Sequence, residues 1–255
     1  MSGVTTAGPV VWGAASLPKI GNRADENEDA IAAAPAGLRF AVADGATEGW
    51  HSKAWADRLA RAFVVRPPAP SDFAGWLTEA RTGWDPPARS GPASWYAEEK
   101  EIQGAYATLL GVRLIPRAAG GWAWKAVAVG DSCLFVVRGE RHTHAFPIDN
   151  PEVFGSSPLL VASTPAGSGE PDWMAGQTLP GDLLVLATDA VAAWLLQTAA
   201  DATPAWPRVR TALNEPDAPA RAAGLRELLG DAQAAKNDDA SMVAVLVPEP
   251  AEPPR

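Results

Sequence analysis

The aspartates of this chain fall where apolar runs end. Asp44 follows LRFAVA at 38–43, Asp131 lies between AVAVG and SCLFVV, Asp189 follows LLVLAT, and Asp238-Asp239 precede ASMVAVLV. Acids are poor strand formers, and a carboxylate beside core strands must be paired, solvated or metal-bound. Any one of these acids alone reads as a turn residue, since aspartate is a standard turn former. Four strand ends that each carry an acid can instead gather them at one rim of a sheet sandwich. A cluster of like charges is unstable by itself, and hard divalent cations with oxygen ligands would neutralise it.

The elements that must position these acids follow from hydrophobic period. Trp55, Leu59 and Phe63 recur four residues apart behind Ser52, which predicts an amphipathic helix capped by that serine and broken at Pro67–Pro70. Phe73, Trp76, Leu77, Ala80 and Trp84 repeat the device behind Ser71, and Trp95, Ile102 and Tyr106 predict a third helix near 93–106. The period then changes to two. Strands are expected at 109–115, 122–129 and 133–138, with a tight hairpin at Gly130-Asp131-Ser132. The Pro-, Ser- and Gly-rich stretch 139–180 reads as loops. A strand at 183–187, a helix at 191–198, a proline-interrupted helical region at 204–229 and a strand at 240–247 complete the chain. Mixed runs of strands and helices favour α+β with antiparallel sheet over a doubly wound parallel fold. One domain over residues 10–247 is expected, with 1–9 and 248–255 as flexible termini and the first dozen residues as a loose end.

Composition narrows the function classes. The 255 residues carry 21 Lys and Arg against 30 Asp and Glu, a net charge of −9, which argues against nucleic acid and against an anionic membrane as partner. One cysteine, Cys133, forms no intramolecular disulfide and suits a reducing compartment, and three histidines make a His/Cys zinc site a poor reading. The N-terminus shows no secretory signal. The most membrane-like run, 183–200, has Asp189 at its centre, where an acid costs about 2.5–3.5 kcal/mol in a bilayer. A cytoplasmic protein, expected to act as a monomer, is the reading.

Six motifs taken in order resemble the metal-dependent serine/threonine protein phosphatases of type 2C, in their bacterial form. Asn27-Glu28-Asp29-Ala30 resembles the family's Asn-Gln/Glu-Asp motif and Val42-Ala43-Asp44-Gly45 its Asp-Gly motif. Ala105-Tyr106-Ala107-Thr108 resembles its Gly-Ser-Thr-Ala segment, and Val129-Gly130-Asp131-Ser132 its Gly-Asp-Ser motif. Leu186-Ala187-Thr188-Asp189-Ala190 stands where the family has Ser-Asp-Gly, and Asp238-Asp239-Ala240-Ser241 where it has Asp-Asn-x-Thr.

The resemblance implies an αββα sandwich of two antiparallel sheets flanked by helices, with two Mg²⁺ or Mn²⁺ ions at one end. Asp44 would bridge both ions and the Gly45 carbonyl would bind one. Asp189 and Asp238 would bind the other, Asp29 would complete the site directly or through water with Glu28 beside it, and Asp131 is a candidate for a third, weaker ion or for an anchor behind the ligands. Such a pair of ions arms a water for in-line attack on a phosphoserine or phosphothreonine, so the partners implied are phosphorylated proteins made by a Ser/Thr kinase. Asp44 and Asp189 are the catalytic centre of this reading. The sequence departs from the pattern in three places. The family's phosphate-holding Arg, five residues before Asp29, is Ala24, leaving Arg23 or Lys19 to take its role; a His after Asp-Gly is replaced by Ala46, with His51 the nearby substitute; and the glycines after Asp44 and Asp189 are altered. These departures motivate an alternative, a degenerate phosphatase fold acting as a regulatory or phosphoprotein-binding module. Activity on a small phosphate ester is a third reading.

Other motifs fail on spacing. Asp25-x-Asn27-x-Asp29 lacks the Gly and Glu of an EF-hand, having Ala30 and Ala36 there. Cys133 and Arg138 have four residues between them, so no cysteine-phosphatase loop forms, and Cys133 reads as a core residue. Neither a P-loop nor a nucleophile elbow occurs. Most tryptophans fall at core spacing, with Trp50 and Trp173 placed to border a groove.

Overall fold

A computed structural model describes residues 10–46, 51–85, 104–117, 121–155, 157–165 and 167–248. Its strands are β1 (Val11–Leu17), β2 (Asp29–Ala34), β3 (Arg39–Asp44), β4 (Tyr106–Ala107), β5 (Leu109–Pro116), β6 (Trp122–Val129), β7 (Cys133–Arg138), β8 (Arg141–Phe146), β9 (Val161–Ala162), β10 (Asp172–Thr178), β11 (Leu183–Ala187) and β12 (Ala240–Leu246). Its helices are α1 (Ser52–Val65), α2 (Phe73–Arg81), α3 (Asp189–Ala200), α4 (Trp206–Leu213) and α5 (Ala218–Ala235).

The strands form two five-stranded antiparallel sheets, in the orders β1-β12-β11-β7-β8 and β10-β6-β5-β3-β2, with β4 and β9 as a separate pair. Both faces of the central strands are covered. In β7, Leu134 and Val136 pack with Leu184, Leu186, Val243 and Val245 against Phe40, Val42, Leu110 and Trp124 of the opposite sheet. The alternate residues Cys133, Phe135 and Val137 turn outward under α3, α4 and α5, where Trp206 lies 5.3 Å from the Phe135 ring. On the far side α1 and α2 bury Trp55, Leu59, Phe63, Trp76 and Leu77 on the second sheet. The layers are therefore helix, sheet, sheet, helix, as expected.

Close packing of α1 depends on one residue without a side chain. A Cβ at Gly111, in central strand β5, would lie 2.4 Å from the ring of the buried Phe63. Gly111→Ala is expected to cost about 1–3 kcal/mol in chemical denaturation, because either Phe63 or the helix must move.

Several local expectations are corrected. Val11 and Trp12 are not loose but belong to β1, paired to Leu246 and Val245. The stretch 139–180 is not all loop, since it holds β8, β9 and β10, and β2 falls where no strand is expected. Of these strands β1, β2, β8 and β10 are the sheet edges, where one flank is unpaired and the sequence needs no apolar run. Most of the third helix near 93–106 lies outside the described residues, and its last residue, Tyr106, is in β4. Ser52 is the first, buried residue of α1, with His51 before it as the cap at φ 58°; α2 is preceded by Asp72 rather than Ser71.

Candidate metal centre

Antiparallel pairing decides where the acids go. Asp44, at the end of β3, lies opposite Asp29, at the start of β2. The start of β5 lies opposite the end of β6, and Asp131 follows in the β6–β7 turn. The start of β7 pairs with the end of β11, which pairs in turn with the start of β12. Asp189 leaves β11 as the first residue of α3, and Asp238 leads into β12. All these ends share one rim, so residues as distant in the chain as Asp29 and Asp238 converge there.

The rim surrounds a cavity of about 720 Å³ lined by Asp44, Gly45, Asp131, Asp189, Asp238 and Asp239, with Glu28, Lys19, Lys236, Tyr106, Pro158 and Leu160 among its other walls. Of the residues singled out in the sequence, Asp44, Gly45, Asp131, Asp189, Asp238 and Lys19 meet in it. Asp29 lies beside it, buried. Arg23 does not reach it: its side chain is 81% exposed and pairs with Asp25 at 3.1 Å. His51 is absent from the lining. Trp173 packs on Phe73 at 6.1 Å and borders a separate cavity with Phe63, and Trp50 lies outside the described residues.

Each acid is held by the layer beneath it. The Asp44 N–H donates to Thr108 Oγ1 at 2.9 Å, and that hydroxyl pairs with Ser132 Oγ at 2.9 Å. This is the structural use of the Thr108 and Ser132 motifs. Thr188 Oγ1 donates to Asp29 Oδ2 at 3.0 Å and accepts from the Ser241 N–H at 3.0 Å. Asp239 accepts from the N–H groups of Lys19 (2.8 Å) and Glu28 (2.7 Å), fastening the β1–β2 segment to β12.

Two ammonium groups stand among the carboxylates. Lys19 Nζ pairs with Asp238 at 2.9 Å, and Lys236 Nζ bonds Asp189 Oδ2 and lies 3.5 Å from Asp238 Oδ2. Lys236 was missed in the sequence, where it is one polar residue in AAKNDD with no pattern to mark it.

The charge balance shows in the proton affinities. Burial lifts the Asp44 carboxyl well above its ordinary range, and Asp29, Asp189, Asp131 and Asp238 add to the lift. Burial raises Asp29 to about 7, against the hydroxyls of Ser241 and Thr188, with Asp239 and Asp189 raising it further. Asp131 is raised to about 6 by burial and by Asp189. Asp238 runs the other way: burial lifts it, but Lys19 and Lys236 together bring it below the ordinary value.

A carboxyl whose folded pKa is raised stabilises the fold fully below the unfolded value near 4, and that stability is lost as pH rises through the folded value. For the metal-free chain the window is therefore about pH 4 to 7, set by Asp29 and Asp131. Asp238 contributes oppositely, losing stability only as pH falls below 4. Denaturation in a chelator is expected to show the chain roughly 2 kcal/mol less stable at pH 8 than at pH 5, with Mn²⁺ restoring the difference at pH 8.

The donor set fits a hard divalent ion. Asp131 Oδ1 is buried without a hydrogen-bond partner, and four other carboxylates raise the proton affinity of Asp44. Among the described residues no three His, Cys, Asp or Glu side chains close on one point, and ammonium groups pair with Asp189 and Asp238.

No protein-family model matches the chain, and no curated protein matches it in sequence. Solved structures do. The serine/threonine phosphatase PstP/Ppp of Mycobacterium tuberculosis is 18% identical at a TM-score of 0.58, over 93% of this chain and 98% of that one. The catalytic domain of PstP in complex with two manganese ions is 21% identical at 0.57, over 94% and 98%. The photosystem II phosphatase PBCP is 16% identical at 0.59, over 93% and 98%. The chain has the fold of the type 2C serine/threonine phosphatases.

Proposed function

We propose that the chain is a Mg²⁺- or Mn²⁺-dependent phosphoprotein phosphatase acting on phosphoserine and phosphothreonine. The observation that carries this reading is the convergence of Asp44, Asp131, Asp189 and Asp238 on one open cavity at the sandwich rim. The fold shared with serine/threonine phosphatases, one of them solved with two manganese ions, supports it.

Asp44, the Gly45 carbonyl, Asp189 and Asp238 would hold two ions, with Asp29 behind them and Asp131 beside a third. Bound there, the ions supply a lowered pKa for water and positive charge for phosphoryl oxygens. The chain's own residues do the rest. Thr108 and Ser132 fix the backbone of Asp44, and Thr188 holds the carboxylate of Asp29. Lys19 takes the phosphate-holding role, since it lines the cavity and Arg23 does not. Lysine offers a point charge there rather than the bidentate fork of arginine. Tyr106, Pro158 and Leu160 give the cavity an apolar wall against which residues flanking the phosphate can pack. No helix among the described residues is long and apolar enough to cross a membrane. The net charge of −9 and the single, buried Cys133 support a cytoplasmic enzyme working on the products of a Ser/Thr kinase.

The test is hydrolysis of para-nitrophenyl phosphate and of a phosphothreonine peptide with Mn²⁺, with EDTA and with Asp189→Asn. Chelator is expected to abolish turnover, and the substitution to lower it at least about a hundredfold. Activity indifferent to both overturns the mechanism. One observation favours a second reading, a phosphoprotein-binding module without catalysis: the Lys236 ammonium already neutralises Asp189. Calorimetry showing tight phosphopeptide binding and no divalent-ion binding would establish it instead.

A further inference from the structure

The position of Lys236 is built into the fold. The residue ends α5, its N–H donating to the Ala232 carbonyl at 3.0 Å. One turn earlier, Gln233 Nε2 donates to the Asp238 carbonyl at 3.0 Å and to the Pro18 carbonyl at 2.8 Å, tying the helix end to the segments that carry Asp238 and Lys19. From this fixed backbone the lysine reaches Asp189, whose side chain is only 11% exposed, and comes within 3.5 Å of Asp238. Its own side chain is 49% exposed, so the ammonium can withdraw to solvent without passing through the core.

We propose that Lys236 is a built-in counter-ion that holds the Asp189–Asp238 half of the centre in the metal-free chain and must be displaced before a divalent ion binds there. The proposal rests on the metal-centre reading. An ammonium and a divalent cation compete for the same carboxylate oxygens and repel each other there, so the lysine lowers the fraction of molecules ready to bind and weakens the apparent affinity by that fraction. The same contact keeps Asp189 and Asp238 from repelling each other while no ion is present. Lys236 is thus a positioning residue whose work is done before any substrate arrives.

Calorimetric titration with Mn²⁺ tests this on the full chain, comparing wild type with Lys236→Met, which keeps the apolar stem and removes the charge. Lys236→Met is expected to bind Mn²⁺ about tenfold more tightly. Thermal melts should show it less stable than wild type in EDTA, with the gap closing or reversing in saturating Mn²⁺. A merely structural lysine would cost the same in both conditions. Arg23→Gln removes an equal charge from the exposed loop outside the cavity and is expected to leave affinity unchanged. Equal or weaker Mn²⁺ binding by Lys236→Met, or an equal gain in Arg23→Gln, overturns the proposal. Asp44→Asn separates the two readings: if it abolishes Mn²⁺ binding while Lys236→Met changes nothing, the centre stands and the counter-ion role falls. If wild type and Lys236→Met both bind no Mn²⁺, both fall.

Discussion

Asp44→Asn is expected to lower kcat/KM for para-nitrophenyl phosphate by at least about a thousandfold while making the metal-free chain more stable. The first effect follows from position. Asp44 ends β3 in the middle of the rim, and Asp29, Asp189, Asp131 and Asp238 all raise its proton affinity, so it is the carboxylate on which the others converge. Losing about 4 kcal/mol of transition-state stabilisation corresponds to that factor, each 1.36 kcal/mol being tenfold. The second effect has the same cause with the opposite sign. A half-buried carboxylate facing four others costs free energy without an ion, and the neutral amide relieves the repulsion while keeping its shape. Above pH 7 a gain of roughly 1 kcal/mol is expected in EDTA, measured by urea denaturation. An Asn variant that keeps activity within tenfold of wild type would move the reaction centre away from this rim.

Gly45→Ala should be nearly as damaging to activity, by a different route. A Cβ there would lie 2.8 Å from the carbonyl carbon of Ser52, 2.9 Å from the Glu28 carbonyl oxygen and 3.0 Å from the Lys53 nitrogen. All three are backbone atoms, so no side chain can swing aside. Either the first turn of α1, which packs against Gly45, or the approach to β2, which lines the cavity at Glu28, must shift. A loss of about 2 kcal/mol in stability and at least about a hundredfold in kcat is expected. Gly230 provides the contrast. It lies inside α5, and a Cβ there meets nothing within 4 Å, so Gly230→Ala should raise stability by about 0.5–1 kcal/mol and leave turnover unchanged. If both alanines behaved alike, the backbone approach at Gly45 would have no special role.

What could be read from the chain and what could not divides along one physical line. The six strands expected from the sequence, β3, β5, β6, β7, β11 and β12, are the inner strands of the two sheets. Each is covered on both faces or paired on both flanks, so its own residues must be apolar in a run such as CLFVV or LLVLA, and an acid at the end of that run is conspicuous. That is why Asp44, Asp131, Asp189 and Asp238 were visible. Of the strands not expected, β1, β2, β8 and β10 are the edges, held by a neighbour's ladder rather than by their own composition, and β4 and β9 form the short separate pair. RHTHAF in β8 is a strand only because β7 lies beside it.

The sequence by itself therefore determined the inner strands of an antiparallel α+β fold and the four acids at their ends, because two-sided burial and its interruption are written locally; the layered sandwich was implied by the resemblance of the motifs. Only the tertiary structure decided which charges stand beside those acids. Lys19 meets Asp239 across 220 residues through its backbone and Asp238 through its ammonium, and Lys236 meets Asp189 across 47. Arg23, four residues from Lys19, is turned out to solvent instead. Nothing in the type or spacing of a lysine or arginine distinguishes these outcomes. They depend on which loops the antiparallel ladders bring to the same rim, and that is a property of the paired strands, not of the residue.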